Sequence, residues 1–462
     1  MASTFTKTEK NWILYDVACS AFTLLSTALI TFYLVFLHPN GGKPDFQTTP
    51  IMSAVSTIVT ILAVIICPIM GTYADFSKKK RIFMTFAGIG IAACALMSIF
   101  TTMAATSYGW IIFLVVYVIA ELCYTSGNVF YDSMLNDVTT DENMHKVSTN
   151  GYAWGYIGSC IPFILCLVLY VLGDMILLGD VVGYTEAGKA IYEKPFLGTA
   201  FSLCCLITAV WWFIFTIPLY RSYEQKNFMP KPNNLIKGTF SRLGSLFKEL
   251  TKNKKALFFL IAYFFYIDGV HTIIKMAMSI GNDLQFENFG AVKLVIALFV
   301  TQIVAFPFAI IFGKLSSKYK SSKLLIACIV SYMAIGVLAV FLRQEWQFWA
   351  MAVGVGMFQG GVQAMSRSYF TKLIPAEKSG EYFGIYDICG KSAAIVGVGL
   401  IGFLSDVFPL ATGFTLWEGA VINIALLPLP ILFLLGLLFF ILCIKTPADP
   451  NSKLAEEERT KL

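Results

Sequence analysis

Ionisable side chains stand inside segments that are otherwise apolar, and their spacing is the first pointer to chemistry. Asp268, His271 and Lys275 follow at i, i+3 and i+7, which sets them on one face of a helix, and Asp387 and Lys391 form an i, i+4 pair. Glu121 lies near the middle of its own apolar run, and Asp16 lies a turn inside the first. A charge inside a bilayer costs about 2.5–3.5 kcal/mol even on the lenient insertion scale, so each group is expected to be paired, to face a water-filled cavity, or to act on a ligand. A carboxyl or imidazole shut away from bulk water can exchange a proton as its surroundings change, which suits Glu121, Asp268 and His271 to proton coupling. Asp16, Lys275, Asp387 and Lys391 offer both signs of charge to a ligand, a combination that fits a zwitterion or an organic acid. The competing reading is structural: salt bridges that pin neighbouring helices, and a packed carboxyl at Glu121.

Enzyme chemistry finds no footing. Gly390-Lys391-Ser392 ends like a phosphate loop, but five residues instead of four separate Gly384 from Gly390 and no strand leads in. Neither an HExxH helix nor a GxSxG elbow occurs. The 11 cysteines sit in or beside apolar segments with no CxxC or His-Cys spacing, so they read as small core residues. No catalytic residue, metal or cofactor is expected.

The elements that must carry these side chains are helices in lipid. With 462 residues, 57% hydrophobic content, only 13% charge and a mean hydropathy of +0.72, a soluble fold could not cover its apolar surface. Apolar runs long enough to span occur at 12–37, 51–74, 82–103, 110–135, 150–173 and 198–219, then at 256–280, 291–313, 323–342, 346–370, 382–405 and 422–444. That is an all-α membrane fold of twelve spans in two sixes, and the unbroken runs exclude a barrel of alternating strands. Only five of the 34 Lys and Arg (Lys43, Lys189, Lys194, Lys293 and Arg343) fall outside if the N-terminus is cytoplasmic, so the net charge of +6 reads as a topological bias. No nucleic-acid partner is expected; the partners are the bilayer and a small molecule.

The two sixes look like copies. Gly71 to Arg81 reads GTYADFSKKKR, and 242 positions later Gly313 to Lys323 reads GKLSSKYKSSK. Each closes one span with glycine and enters the next through a basic turn. Tyr15-Asp16 is likewise matched by Tyr266-Ile267-Asp268. The organisation is then a first bundle at 1–220, a linker at 221–255, a second bundle at 256–446 and a charged tail at 447–462. The linker holds nine basic residues, and Ile236, Phe240, Leu243, Phe247 and Leu250 recur as the apolar stripe of a helix on the inner membrane surface. Charge pairs and helix dipoles at the basic turns can latch one conformation through Gly71, Asp75, Lys79, Lys80 and Arg81. The second turn contributes Gly313 and Lys318, with Ser317 where the first has an acid. Arg367, at the inner end of the tenth span, belongs with the latch.

The turn at Gly71, Asp75, Lys79, Lys80 and Arg81, after the second of twelve spans, resembles the signature turn of the major facilitator superfamily. Phe76 and Lys78 depart from that pattern. Four stretches carry a narrower resemblance: NWILYDVACSAF from Asn11, YIDGVHTIIKMA from Tyr266, GGVQAMSRSYFTKLIP from Gly360 and EYFGIYDICGKSAAIVG from Glu381. Together they are similar to the "unknown major facilitator" family that includes the autophagy-related vacuolar amino-acid effluxers of fungi. The usual Asp-Trp-Ala-Asn of the first span is Asp16-Val17-Ala18-Cys19 here. The resemblance implies the major facilitator fold, with alternating access around a midplane site and a small amino acid or similar metabolite as cargo. Short loops point to a bacterial inner membrane, with a vacuolar membrane as the alternative, and a monomer is expected because one chain holds both bundles. The other class of function weighed is a non-transporting receptor or scaffold signalling through the linker.

Overall fold

The computed structural model describes residues 5–38, 49–76, 78–103, 108–171, 181–184, 190–192, 197–230, 245–246, 248–283, 291–408, 414–417 and 420–447. The first span starts earlier than its apolar run because Thr6 and Glu9 close a capping box. The Thr6 hydroxyl accepts the Glu9 N–H at 3.2 Å, and the Glu9 carboxylate accepts the Thr6 N–H at 2.7 Å. Helix α1 (Lys7–Leu24) passes through a π-helical turn, Leu25–Leu29, into α2 (Ile30–Leu37). There the Thr27 hydroxyl donates back to the Thr23 carbonyl at 2.5 Å, satisfying an oxygen that the widened turn leaves over.

The first half continues with α3 (Thr49–Asp75), α4 (Lys79–Leu96), α5 (Gly109–Ser133), the short α6 (Leu135–Val138), α7 (Met144–Val171) and α8 (Leu197–Ser222). The second half holds α9 (Lys254–Asp283), α10 (Ala291–Leu315), α11 (Ser321–Val340), α12 (Glu345–Leu373), α13 (Ser379–Val407) and α14 (Pro428–Lys445). Counting α1 and α2 as one run, the described residues form two sets of six spans in a nearly all-helical, multi-pass membrane protein. Nine of the helices among the described residues are long and apolar enough to cross a bilayer by composition alone. The helices carrying Asp16 and Arg367, α1 and α12, are not among the nine.

Two small antiparallel hairpins were not expected from the sequence. Strands β1 (Val181–Tyr184) and β2 (Ala190–Tyr192) precede the last span of the first half, and β3 (Phe414–Trp417) and β4 (Ala420–Ile422) precede the last span of the second. The second pair moves the start of the twelfth span: Ile422 lies in β4, and α14 begins at Pro428, whose missing N–H and fixed φ suit a first helical turn. Of the proposed linker stripe, Ile236, Phe240, Leu243 and Phe247 lie outside the described residues, and Leu250 is buried with Leu246 in the core of the second half.

Each half has its own aromatic core. Trp12, Phe22, Phe83, Tyr131 and Trp212 interlock in the first, and Phe259, Tyr266, Tyr332, Phe370 and Phe433 in the second. The halves meet along two flanks, α3 against α13 and α7 against α10. Both flanks depend on the duplicated glycines. A Cβ on Gly71 would stand 2.5 Å from the carbonyl oxygen of Gly380 in α13, and one on Gly313 would collide with Thr149 of α7. The backbones therefore approach closely where the first basic turn begins, and at the second the glycine makes room for the Thr149 side chain. Gly71→Val is expected to cost about 1–3 kcal/mol by wedging this flank open. Thermal unfolding of the purified protein should register that loss, together with faster hydrogen exchange at the Gly380 and Glu381 amides.

Candidate functional site: an ionic seam between the halves

Arg367 of α12 is 1% exposed, and its guanidinium reaches into the other half. Its Nη1 donates to Asp132 Oδ1 at 2.8 Å, Nη2 stands 3.5 Å from Asp16 Oδ2, Nε donates to the Ser148 hydroxyl at 3.0 Å, and Nη2 donates to the Ser148 carbonyl at 2.9 Å. Three rings enclose it, with centroids 4.6 Å (Trp12), 5.6 Å (Tyr131) and 4.3 Å (Tyr152) from the guanidinium carbon. These are the acceptors and faces that a planar, delocalised cation prefers. The partners sit on α1, α5 and α7, and they are fixed to one another. Trp12 Nε1 donates to the Tyr131 carbonyl at 3.1 Å, while the Tyr131 hydroxyl lies 2.7 Å from Asp16 Oδ2 and 3.0 Å from the Trp12 carbonyl. The Trp12 and Tyr131 rings stack at 4.4 Å. Gly151 on α7 makes room for the arrangement, since a Cβ there would lie 3.1 Å from Trp12 and 3.2 Å from Arg367 Nη2.

A second ionic cluster lies at the turn that begins with Gly71. Asp75 accepts the N–H groups of Gly380 and Glu381, both at 2.9 Å, so the carboxylate of the first half caps the N-terminus of α13 in the second. Lys79 is fully buried, with Nζ 3.6 Å from Asp75, 3.4 Å from Asp137 and 2.8 Å from the Ser379 hydroxyl. Asp137 in turn holds the start of the inter-half linker. It accepts the Tyr223 hydroxyl at 2.6 Å and the N–H groups of Lys226 and Asn227 at 3.2 and 2.9 Å. Met229 N–H donates to the Asp75 carbonyl at 2.8 Å. The strap 223–229 is thus tied to the latch. Between the two clusters, His145 of α7 meets the Ser368 hydroxyl of α12 at 2.6 Å.

The other sequence-derived candidates lie elsewhere. Lys80 points its ammonium over the Tyr220 ring at 5.1 Å, Arg81 is exposed, and Lys318 is exposed over the Tyr319 ring at 5.6 Å. These three basic residues thus stand outside both clusters, because their helices turn them outward from the seam. Asp268 and His271 turn toward α13 within their own half. Asp268 Oδ1 accepts the Thr272 hydroxyl at 3.1 Å and the Gly397 N–H at 3.0 Å, and His271 Nδ1 lies 3.3 Å from the Gly390 carbonyl. Lys275 is exposed and within electrostatic reach of Asp268. Glu121 stands between Tyr117 and Tyr124 on α5. Asp387, on α13, lies within electrostatic reach of Asp132, and the side chain of Lys391 is outside the described residues. A largely apolar cavity of about 100 Å³ in the second half, lined by Ile273, Gln302, Met351 and Gln359 among others, is lined by none of these charged candidates. Among the described residues these charges are thus spread over α5, α9 and α13. Asp132, Asp137, Tyr131, Tyr152 and the strap were not read from the sequence. The recurring Tyr-Asp pair, at Tyr15-Asp16, Tyr131-Asp132 and Tyr386-Asp387, is the signal that would have marked Asp132.

Comparison with known proteins places this architecture. A family profile described as "Vacuole effluxer Atg22 like" matches residues 37–443. The MFS-type transporter YxiO of Bacillus subtilis (strain 168) is 37% identical over 409 residues, covering 88% of this chain and 90% of YxiO. Autophagy-related protein 22-1 of Aspergillus niger is 24% identical over 313 residues, and the chain spans about half of that longer protein, 47%. Among solved structures, the Escherichia coli fucose:proton symporter FucP superimposes with a TM-score of 0.67 at 14% identity, over 95% of this chain and 97% of that one. A bacterial homologue of the iron transporter ferroportin in an outward-facing state gives 0.66 at 13% identity, over 95% and 100%.

Removing one member of a buried ion pair leaves its partner charged and unpaired, at a cost of about 3–5 kcal/mol. Asp132→Asn and Arg367→Met should each lower the melting temperature of the purified protein well below that of Lys80→Ala, which removes only a half-buried amine resting over the Tyr220 ring. The double variant Asp132→Asn/Arg367→Met is expected to lose much less than the sum of its parts.

Proposed function

From the premise that this chain belongs to the Atg22-like family of vacuole effluxers, within the major facilitator superfamily of membrane transporters, we propose that it carries a small polar metabolite, an amino acid, by proton-linked alternating access. The observation that carries the reading is the division of the ionic seam: every group that holds Arg367 is on one half, and Arg367 itself is on the other. Both clusters tie the two halves together at the end of the molecule that bears the basic turns, which the Lys and Arg bias assigns to the cytoplasm. In this conformation the cytoplasmic side is closed. Rocking the halves apart breaks two ion clusters and one helix cap, and rocking them back restores the same contacts, which gives the two-state element that alternating access needs.

The residues divide the work. Gly71, Asp75, Lys79 and Arg367 latch the cytoplasmic side, with Gly313 giving the opposite flank its close approach. Asp16 sits where the latch meets the interior. Lys275, Asp387 and Lys391 supply charge for a zwitterion on the second half, and Glu121, Asp268 and His271 exchange protons deeper in the bundles. The resemblance to a bacterial MFS-type transporter supports placement in a bacterial cell membrane.

Proteoliposomes loaded with the purified protein test the reading with a panel of radiolabelled amino acids. Uptake of at least one is expected to rise when an inward proton gradient is imposed, and Glu121→Gln should remove that rise while leaving exchange intact. Uptake that ignores both the gradient and the substitution would reduce the mechanism to a uniport.

A further inference from the structure

The pocket around Arg367 is a ligand site that the protein fills with its own side chain. Two carboxylates, Asp16 and Asp132, and three aromatic faces, Trp12, Tyr131 and Tyr152, surround the guanidinium, and none of these five residues belongs to the half that supplies it. Three of the five walls hold one another without help from the occupant. Trp12 and Tyr131 hold each other through reciprocal bonds to backbone carbonyls, and Tyr131 also fixes Asp16. Even with Arg367 present, two carboxylates face one cation. When the halves part on this side, α12 withdraws with its arginine and takes away the cation that, among the described residues, both acids face. An aromatic enclosure holding two acids is the chemistry that recognises an organic ammonium group.

We propose that the box formed by Trp12, Asp16, Tyr131, Asp132 and Tyr152 binds the ammonium group of a small organic amine when the cytoplasmic side is open, and that Arg367 is the internal competitor that expels it on closure. This rests on the alternating-access reading and goes beyond it, since it assigns the cationic end of the cargo to the first half. Closure then carries a release step within it. The guanidinium re-enters from the opposite half and takes the two acids and the three rings, so bound amine and closed gate exclude each other.

The test uses full-length protein in nanodiscs and three probes: alanine, alanine amide, which keeps the ammonium and lacks the carboxylate, and N-acetylalanine, which keeps the carboxylate and lacks the ammonium. Arg367→Met removes the competitor, so alanine amide should bind this variant about tenfold more tightly than wild type, the effect of roughly one desolvated cation–π contact. N-acetylalanine should gain nothing, and adding Asp16→Asn should cancel the gain. Trp12→Leu, with Arg367 left in place, provides a second arm should Arg367→Met prove unstable: it should weaken alanine amide and spare N-acetylalanine. Overturning results are equal affinity of Arg367→Met and wild type for alanine amide, or a gain shared by N-acetylalanine. Proton release from Arg367→Met unaccompanied by amine binding would also reject the box, as a proton site only. The outcomes separate the two readings. Amino-acid uptake by wild-type vesicles without an ammonium gain in Arg367→Met rejects the box alone, whereas an ammonium gain in a protein that moves no amino acid rejects the cargo assignment and keeps the box.

Discussion

One guanidinium crossing from the second half into the first is the contact on which the observed conformation depends. Arg367 brings a cation into a space that already holds two carboxylates, and it replaces the water it has lost with bonds to Asp132, Ser148 and the faces of three rings. A buried pair of this kind contributes modest net stability, because desolvation offsets most of the attraction. Its larger effect is on specificity: two carboxylates, Ser148 and three ring faces converge on the guanidinium at one position along the seam. The arrangement therefore defines one relative position of the halves much more sharply than apolar packing would.

The second cluster works by different physics. Asp75 offers its carboxylate to the buried amides at the start of α13, where the helix dipole adds to two hydrogen bonds, and the Lys79 ammonium stands 3.6 Å away. This is possible only because Gly71 and Gly380 let the backbones touch. On the opposite flank Gly313 repeats the close approach to Thr149, but Ser317 stands where an acid would be needed. Duplication has kept the shape of both turns and the ionic chemistry of one.

Much of the fold was legible in the sequence because lipid is an unforgiving solvent: spans must be long and apolar, and basic residues collect on one side. The twin turns and Asp16 stood out for the same reason, as departures from that rule. Asp132 did not, since an acid near the end of a span resembles any helix terminus facing water, and only Arg367 of α12, 235 residues away, gives it meaning. Asp137 was hidden likewise, because its partners on the strap are ordinary polar linker residues with no period of their own. Lys80, Arg81 and Lys318 show the converse. The same basic run that anchors a helix at the membrane surface contains one lysine that turns inward, and helical phase, which composition does not report, decides which. The two hairpins escaped because strands of three and four residues leave no repeating pattern to read.

The aromatic walls around Arg367 also bear on how the cell's electrolyte acts on the protein. Mobile ions weaken an attraction only where they can approach it, within a Debye length of roughly 8 Å at physiological strength, and rings on three sides keep them out. Lys293–Glu345 and Lys378–Glu249, whose side chains are between a quarter and two-fifths exposed, enjoy no such shelter. Rising salinity thus strips the peripheral pairs first and leaves the central bolt untouched, so osmotic stress would soften the rim of the carrier without altering which way it faces.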